Sequence, residues 1–259
     1  YWGPELYPRL AGWDVKVFTN CRFGLILWAL LPISVMYGQI EKNDGVASNE
    51  IMVSCFLQLV YLSKFYWWER GYMSTIDIMQ DRAGYYLCWG CLVWVPTLYT
   101  SQVQYIYFRP KSELVLANST ALIYAVCGAL AIFVNYDADN QRAMFRTYGG
   151  ECTVFGLPAK KIVAKYNPGD GSERTSLLLV SGYWGTSRHF HYLPEVLGSI
   201  FWSIPAGFNH FMPHFYYVFL TILLVDRAFR DEARCANKYG KYYDEYKRQV
   251  PYKIIPGVL

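Results

Sequence analysis

The chain has 259 residues and a formal net charge of +4, with 54% apolar, 19% aromatic and 17% charged residues. Charged residues are scarcer than the roughly 25% of a soluble globular domain, so composition argues against an ordinary water-solvated fold. No continuous basic stripe suits a nucleic acid, and seven scattered cysteines, an odd number, argue against a disulfide framework.

The chain opens on Tyr1-Trp2-Gly3-Pro4, with neither an initiating Met nor a signal-peptide pattern, which reads as a segment of a longer protein. Residues 23–40, 83–108, 114–136 and 196–225 contain no Asp, Glu, Lys or Arg. Each is near or beyond the roughly 18 to 20 residues that cross a hydrocarbon core. Ile51 to Ser63 is shorter, but Tyr66, Trp67 and Trp68 extend it as an interfacial aromatic belt. Residues 177–194 form a sixth candidate, interrupted by Gly182, Gly185 and Arg188. The pattern predicts five or six spans, with the 196–225 run kinked or re-entrant at Pro205 and Pro213.

One polar intermission, 137–176, carries Arg142, Arg146, Lys160, Lys161 and Lys165, and a turn over Asn167-Pro168-Gly169-Asp170-Gly171-Ser172. The end of the chain, 226–259, reads as an amphipathic helix and tail, with Arg227, Asp231, Arg234 or Cys235, and Lys238 along one face and Tyr239, Tyr243 and Tyr246 on a neighbouring one. Two basic segments on one side satisfy the positive-inside tendency, so both are expected to be cytosolic. With no internal repeat or linker, 1–259 reads as one domain. The expected fold is all-α, a polytopic transmembrane helix bundle with a cytosol-facing C-terminal cofactor pocket.

Several familiar chemistries find no support. There is no G-x-G-x-x-G after a strand, no Walker loop and no G-x-S-x-G elbow around Ser187. Cys88 and Cys91 sit in an apolar run without a second ligand pair, and free buried thiols are the simpler reading. His210 and His214 are four apart, but Pro213 and the lack of acidic partners favour core histidines over a metal site. Asn118-Ser119-Thr120 matches a glycosylation acceptor, yet its place early in an apolar span suits helix packing better. Arg142 and Arg146, four apart, present two guanidinium forks suited to phosphate, against the plainer reading of a solvated pair. Asp231 lies among Arg227, Arg230, Arg234 and Lys238, which favours the carboxylate and a role orienting a cationic or hydrogen-bond-donating group.

The runs Leu178-Leu179-Val180-Ser181-Gly182-Tyr183-Trp184-Gly185, Arg188-His189-Phe190-His191-Tyr192 and Arg230-Asp231-Glu232-x-Arg234-Cys235-x-x-Lys238-Tyr239-Gly240 closely resemble the sterol reductase family, as does the ending Val250-Pro251-Tyr252-Lys253-Ile254-Ile255-Pro256-Gly257. Upstream, Leu6-Tyr7-Pro8-Arg9, Phe18 to Gly24, Thr75-Ile76-Asp77-Ile78 and Trp89 to Pro96 look most like the branch that reduces the Δ7 bond. The resemblance implies a multi-pass endoplasmic reticulum enzyme that uses NADPH to reduce a ring double bond of a membrane-borne sterol, with helices of the family preceding this segment. Carried over by motif, the cofactor-contacting positions are Arg142, Arg146, Leu179, Trp184, His191, Tyr192, Asp231, Cys235, Lys238, Tyr239 and Tyr246. Relatives often have Lys at position 142 and Asn at position 191, and both changes keep a polar partner.

Reduction of an isolated alkene calls for a proton first and a hydride second, so a buried acid must face a held cofactor. Candidates for the acid are Tyr99 and Tyr66, then Glu69, Asp77 and Asp81, beside the aromatic spans; helix-end or interface roles compete for Glu69 and Asp77. Rival readings are a C14-selective member of the same family, an S-adenosylmethionine-dependent membrane methyltransferase whose C-terminal helix looks alike, and a non-catalytic sterol-binding scaffold. A transporter would need polar residues at mid-membrane, and few are evident. No metal is expected.

Overall fold

The computed structural model describes residues 1–168 and 171–258, without the side chain of Ile76. The described chain is mostly helical and resolves into two compact units, Tyr1–Ile132 with Gly198–Val218, and Phe133–Leu197 with Phe219–Leu259.

The first unit begins with a small hairpin, β1 (Arg9–Leu10) and β2 (Trp13–Asp14). Asp14 ends it and caps the next helix, accepting from the Val17 amide at 3.0 Å. That helix, α1 (Val15–Lys42), is 28 residues long and keeps only 22% of its most apolar window buried. Phe23, Ile26, Leu30 and Tyr37 are exposed at three-, four- and seven-residue steps, a continuous apolar stripe of the kind a lipid-facing helix presents. Lys16, fully buried near its start, is satisfied by three carbonyls, those of Asp77 at 3.0 Å, Ile78 at 2.7 Å and Asp81 at 2.6 Å. An ammonium has three protons to give, and here all three are taken.

Ser48 caps α2 (Asn49–Trp67), which runs through the aromatic belt as the sequence suggests. After the short helices α3 (Glu69–Tyr72) and α4 (Ile76–Met79), the uncharged run 83–108 forms a helix broken by a π-turn, α5 (residues 85–98), and then α6 (Ser101–Phe108). Ile51, Val103, Ile106 and Ala206 make one buried cluster. Trp28, Tyr61, Tyr99, Trp202 and Tyr216 make an aromatic one, in which Trp28 Nε1 donates to Gln58 at 2.8 Å.

α7 (Asn118–Thr147) is 30 residues long, with 28% of its apolar window buried. Leu122, Ile123, Val126, Leu130 and Phe133 stand exposed along it. Its first residue, Asn118, is exposed and accepts from Asn49 Nδ2 at 2.7 Å. The 196–225 run divides where Pro205 and Pro213 suggest. α9 (Tyr192–Ser203) gives way to two single 3₁₀ turns, each with its proline in the first two positions, and then to α10 (Phe215–Tyr239).

The second unit departs from an all-α expectation. The polar segment 137–176 is the last three turns of α7, the hairpin β3 (Thr153–Val154) with β4 (Leu157–Pro158), and strand β5 (Lys161–Tyr166). The sixth candidate span, 177–194, is no membrane helix. It is the end of strand β6 (Arg174–Leu179), the single turn α8 (Tyr183–Thr186) and the start of α9. β5 and β6 pair antiparallel from Lys161 with Leu179 to Tyr166 with Arg174, and the expected turn between them falls partly outside the described residues, at 169 and 170. Ile162 and Ala164 alternate buried with exposed Val163 and Lys165, the period of a half-buried strand. The apolar run Leu177 to Val180 is hydrophobic because it packs on protein: Leu178 and Val180 join Ile162, Tyr243, Tyr246 and Val250 in one core. The C-terminal amphipathic segment is also two helices. α10 carries through to Tyr239, Gly240 breaks it at φ 52°, and α11 (Lys241–Gln249) turns back Tyr243 and Tyr246 onto β5.

Candidate functional site

Within the second unit, the cytosol-expected end of α7 carries Arg142, Phe145 and Arg146 on one face, at steps of three and four. Phe145 is buried with Val154, Leu179 and Trp184, tying the helix end to the hairpins and to α8. Trp184 is held by its indole N–H, which donates to the Ala138 carbonyl at 2.8 Å, and the Arg142 guanidinium lies 4.4 Å from its ring centre. Gly182 makes this approach possible. Its φ is +64°, and a Cβ there would overlap Gln141 Oε1 and Val154. The same Gln141 oxygen accepts from the Tyr183 amide at 3.0 Å.

Residues 187–189 are laced to the C-terminal tail. The Arg188 and His189 amides donate to the Tyr252 and Lys253 carbonyls at 3.0 and 2.7 Å, and Ser187 Oγ donates to Ile254 at 2.8 Å. Arg188, buried, donates from Nε to Glu232 at 2.7 Å and from one terminal nitrogen to the Val250 and Pro251 carbonyls at 2.6 and 2.9 Å. Lys253 completes the group, 3.1 Å from the other Glu232 oxygen. A buried guanidinium beside a part-buried carboxylate and ammonium is tolerated because each charge meets its opposite and the Arg188 N–H groups also meet carbonyls.

α10 contributes Asp231 and Cys235, one turn apart. Asp231 pairs with Arg234 through one oxygen, and Cys235 Sγ lies 3.8 Å from the other. Burial, then the Asp231 charge, pushes the Cys235 thiol up to about 11, so it stays protonated and is a donor rather than a nucleophile. On α11, burial pushes the Tyr246 phenol up to about 12. Burial likewise pushes His189 down to about 3, with His191 adding to it, so its imidazole is neutral at physiological pH.

These groups surround one cavity enclosing about 50 Å³ and lined by Arg142, Phe145, Arg146, Leu177, Leu178, Leu179, Trp184, Arg188, His189, Asp231, Cys235, Tyr243 and Tyr246. Seven of the positions carried over by motif lie on its wall. His191, Tyr192, Lys238 and Tyr239 stand behind it. His191 packs 4.9 Å from the Trp184 ring and 4.2 Å from that of Tyr192. Lys238 lies 4.2 Å over Tyr166, and Tyr239 Oη donates to Ser176 at 3.2 Å. Sequence reasoning passed over Arg188, His189 and Tyr243. The signal for them was their company: Arg188 and His189 share a motif with His191 and Tyr192, and Tyr243 shares the expected helix face with Tyr239 and Tyr246.

The candidate acids all belong to the first unit. Tyr66 Oη donates to the Cys21 carbonyl at 2.9 Å, and Glu69 takes both terminal nitrogens of Arg22 at 2.6 and 3.1 Å. Asp77 sits in the first turn of α4, near Asp81, each lending its backbone carbonyl to Lys16. Tyr99 packs 4.4 Å from the Tyr216 ring and 5.0 Å from that of Trp28. His214 Nε2 lies 2.7 Å from the Gly207 carbonyl and His210 packs on Tyr105, so neither turns toward the other as a metal pair would.

Two guanidinium groups, a tryptophan face, a carboxylate and a neutral imidazole suit a ligand that carries phosphate and a planar, hydrogen-bonding ring. A mostly helical protein with two largely exposed helices long and apolar enough to cross a bilayer, and such a cavity, has the features of a ligand-binding membrane protein. The chain belongs to the Ergosterol biosynthesis ERG4/ERG24 family, whose profile matches residues 1–259. It is 51% identical over 259 residues to the 7-dehydrocholesterol reductase of Arabidopsis thaliana, covering 100% of this chain and 59% of that protein. It is 38% identical to the 7-dehydrocholesterol reductase of Xenopus laevis, over 99% of this chain and 54% of that protein. With the Delta(14)-sterol reductase of Methylotuvimicrobium alcaliphilum it shares 35% identity, over 100% of this chain and 57% of that protein. The chain therefore spans between half and three fifths of the length of these relatives.

Proposed function

We propose that this chain forms the cofactor-binding and sterol-binding part of an NADPH-dependent sterol reductase that saturates the Δ7 bond of a 7-dehydrosterol, as a multi-pass protein of the endoplasmic reticulum membrane. The observation that carries this reading is the convergence of Arg142, Arg146, Trp184 and Asp231 on one cavity. Greater identity to two Δ7 reductases than to the C14 enzyme supports the choice of bond.

When bound, NADPH supplies the hydride. Arg142 and Arg146 hold its phosphates, Trp184 offers a ring face, and Asp231 accepts from a donor group and sets its orientation. Leu177 to Leu179 and Tyr246 add an apolar and aromatic lining that would keep water away from a bound ring. Tyr99 is our first choice as proton donor to the alkene. Tyr66, which donates to a backbone carbonyl, comes next, followed by Glu69, paired with Arg22, and Asp77 at a helix start.

The test is the complete protein in membranes, supplied with NADPH and a 7-dehydrosterol, following the conjugated-diene absorbance. Loss of the diene is the expected result. An unchanged diene with NADPH demonstrably bound overturns the Δ7 assignment, and turnover of a C14-unsaturated sterol under the same conditions would move the chain to the C14 reading. NADPH binding without turnover of either sterol would favour a non-catalytic scaffold, and binding of S-adenosylmethionine in its place a methyltransferase.

A further inference from the structure

One polar atom on the cavity wall serves nothing in the fold. His189 is 4% exposed, and its Nε2 is buried without a hydrogen-bond partner among the described residues. A buried polar atom left unpaired costs on the order of 1 to 3 kcal/mol, so it calls for a reason. Its neighbours have partners that fix the ring rather than satisfy it. The His189 amide is bound to Lys253, its carbonyl accepts from the Tyr192 amide at 3.1 Å, and its ring stacks on Tyr192 at 8°. The imidazole is thus clamped by backbone on both sides and by an aromatic face, in a residue that lines the cavity.

Resting on the cofactor reading above, we propose that His189 is a cofactor-binding residue whose Nε2–H donates to the carbonyl oxygen of a primary carboxamide on the bound pyridine ring, opposite a carboxylate, Asp231, that accepts from the carboxamide NH₂. A primary carboxamide has one strong acceptor and one strong donor group, and the cavity wall offers one neutral donor and one carboxylate. The neutral state of the imidazole suits the role, because an uncharged donor binds an uncharged amide without leaving a buried charge behind. Arg146, exposed on the same wall, can meet phosphate.

The experiment measures binding of NADPH to the complete protein in membranes, for wild type, His189→Phe and His189→Gln. A second ligand, the NADPH analogue with hydrogen in place of the carboxamide, is measured on the same proteins. Phenylalanine keeps the stacking on Tyr192 and removes the nitrogen, and because Nε2 bonds to nothing internal the apoprotein should melt no lower than wild type. His189→Phe is expected to weaken NADPH binding about tenfold, in line with one buried hydrogen bond lost to a ligand, while His189→Gln recovers most of the affinity. Wild type and His189→Phe should bind the analogue equally. Unchanged NADPH affinity in His189→Phe overturns the inference, and so does an equal loss for NADPH and analogue, which marks a merely structural role. Wild type that binds no NADPH overturns the cofactor reading itself, whereas NADPH binding that is blind to position 189 leaves that reading standing and removes only His189.

Discussion

At the residue scale, the carboxylate and the imidazole on the cavity wall make separable claims. Asp231 could be singled out from the sequence, because four cations recur around it at helical spacing. Its role at the wall gives a direct expectation: Asp231→Ala should weaken NADPH binding by about ten- to a hundredfold, the scale of a hydrogen bond to a charged group, as read by titration of the complete protein. His189 was less legible. What traps it is a tail more than sixty residues further along the chain, and no local spacing announces that ladder. Its titration is nonetheless testable. The unfolded chain takes up this proton near the ordinary value of 6.5 and the folded chain only near 3. The unfolded state therefore binds more protons throughout that window, and stability falls as pH drops through it and is fully recovered above it. The thermal midpoint of the wild-type apoprotein should decline more steeply between pH 6.5 and about 3 than that of His189→Phe, and parallel declines would show that His189 does not titrate this way.

At the scale of elements, the helices with strong periodicity or long uncharged runs were readable, and the two prolines marked the break in the 196–225 run. The β5–β6 hairpin was not, because a leucine-rich strand buried against α11 has the same local composition as the edge of a membrane span. The distinction lies in Ile162, Ala164, Tyr243 and Val250, residues that meet only in the folded unit. The single C-terminal helix likewise proved to be two, since the break at Gly240 depends on a positive φ rather than on a loss of helical pattern. Two substitutions probe how these elements hold the wall. Glu232→Ala leaves Arg188 and Lys253 buried without their carboxylate and should destabilise the unit by about 3 to 5 kcal/mol, with limited proteolysis releasing the tail after residue 250 earlier than in wild type. Gly182→Ala combines a left-handed φ with a Cβ that collides with Gln141 and Val154, and a loss of about 1 to 3 kcal/mol in unfolding experiments is expected. An unaltered melting profile in either variant would contradict the packing described.

At the scale of the whole molecule, composition decides the solvent and the exposed stripes on α1 and α7 agree with it. Each of these helices has under a third of its apolar window buried, less than the core helix of a water-soluble protein shows. On the proposed reading those stripes lie against acyl chains, in the phase that holds the sterol. The polar cavity of the second unit is where a charged, water-soluble cofactor would enter. That division of labour is the central claim, and isotopic labelling tests it most directly. The complete protein in membranes is given NADPH deuterated at the transferable position, a 7-dehydrosterol and ordinary water, and the reduced sterol is analysed by mass spectrometry. The account expects one deuterium per product molecule, with yield collapsing in Asp231→Ala. A reduced sterol free of deuterium, or full labelled product from Asp231→Ala, would contradict it.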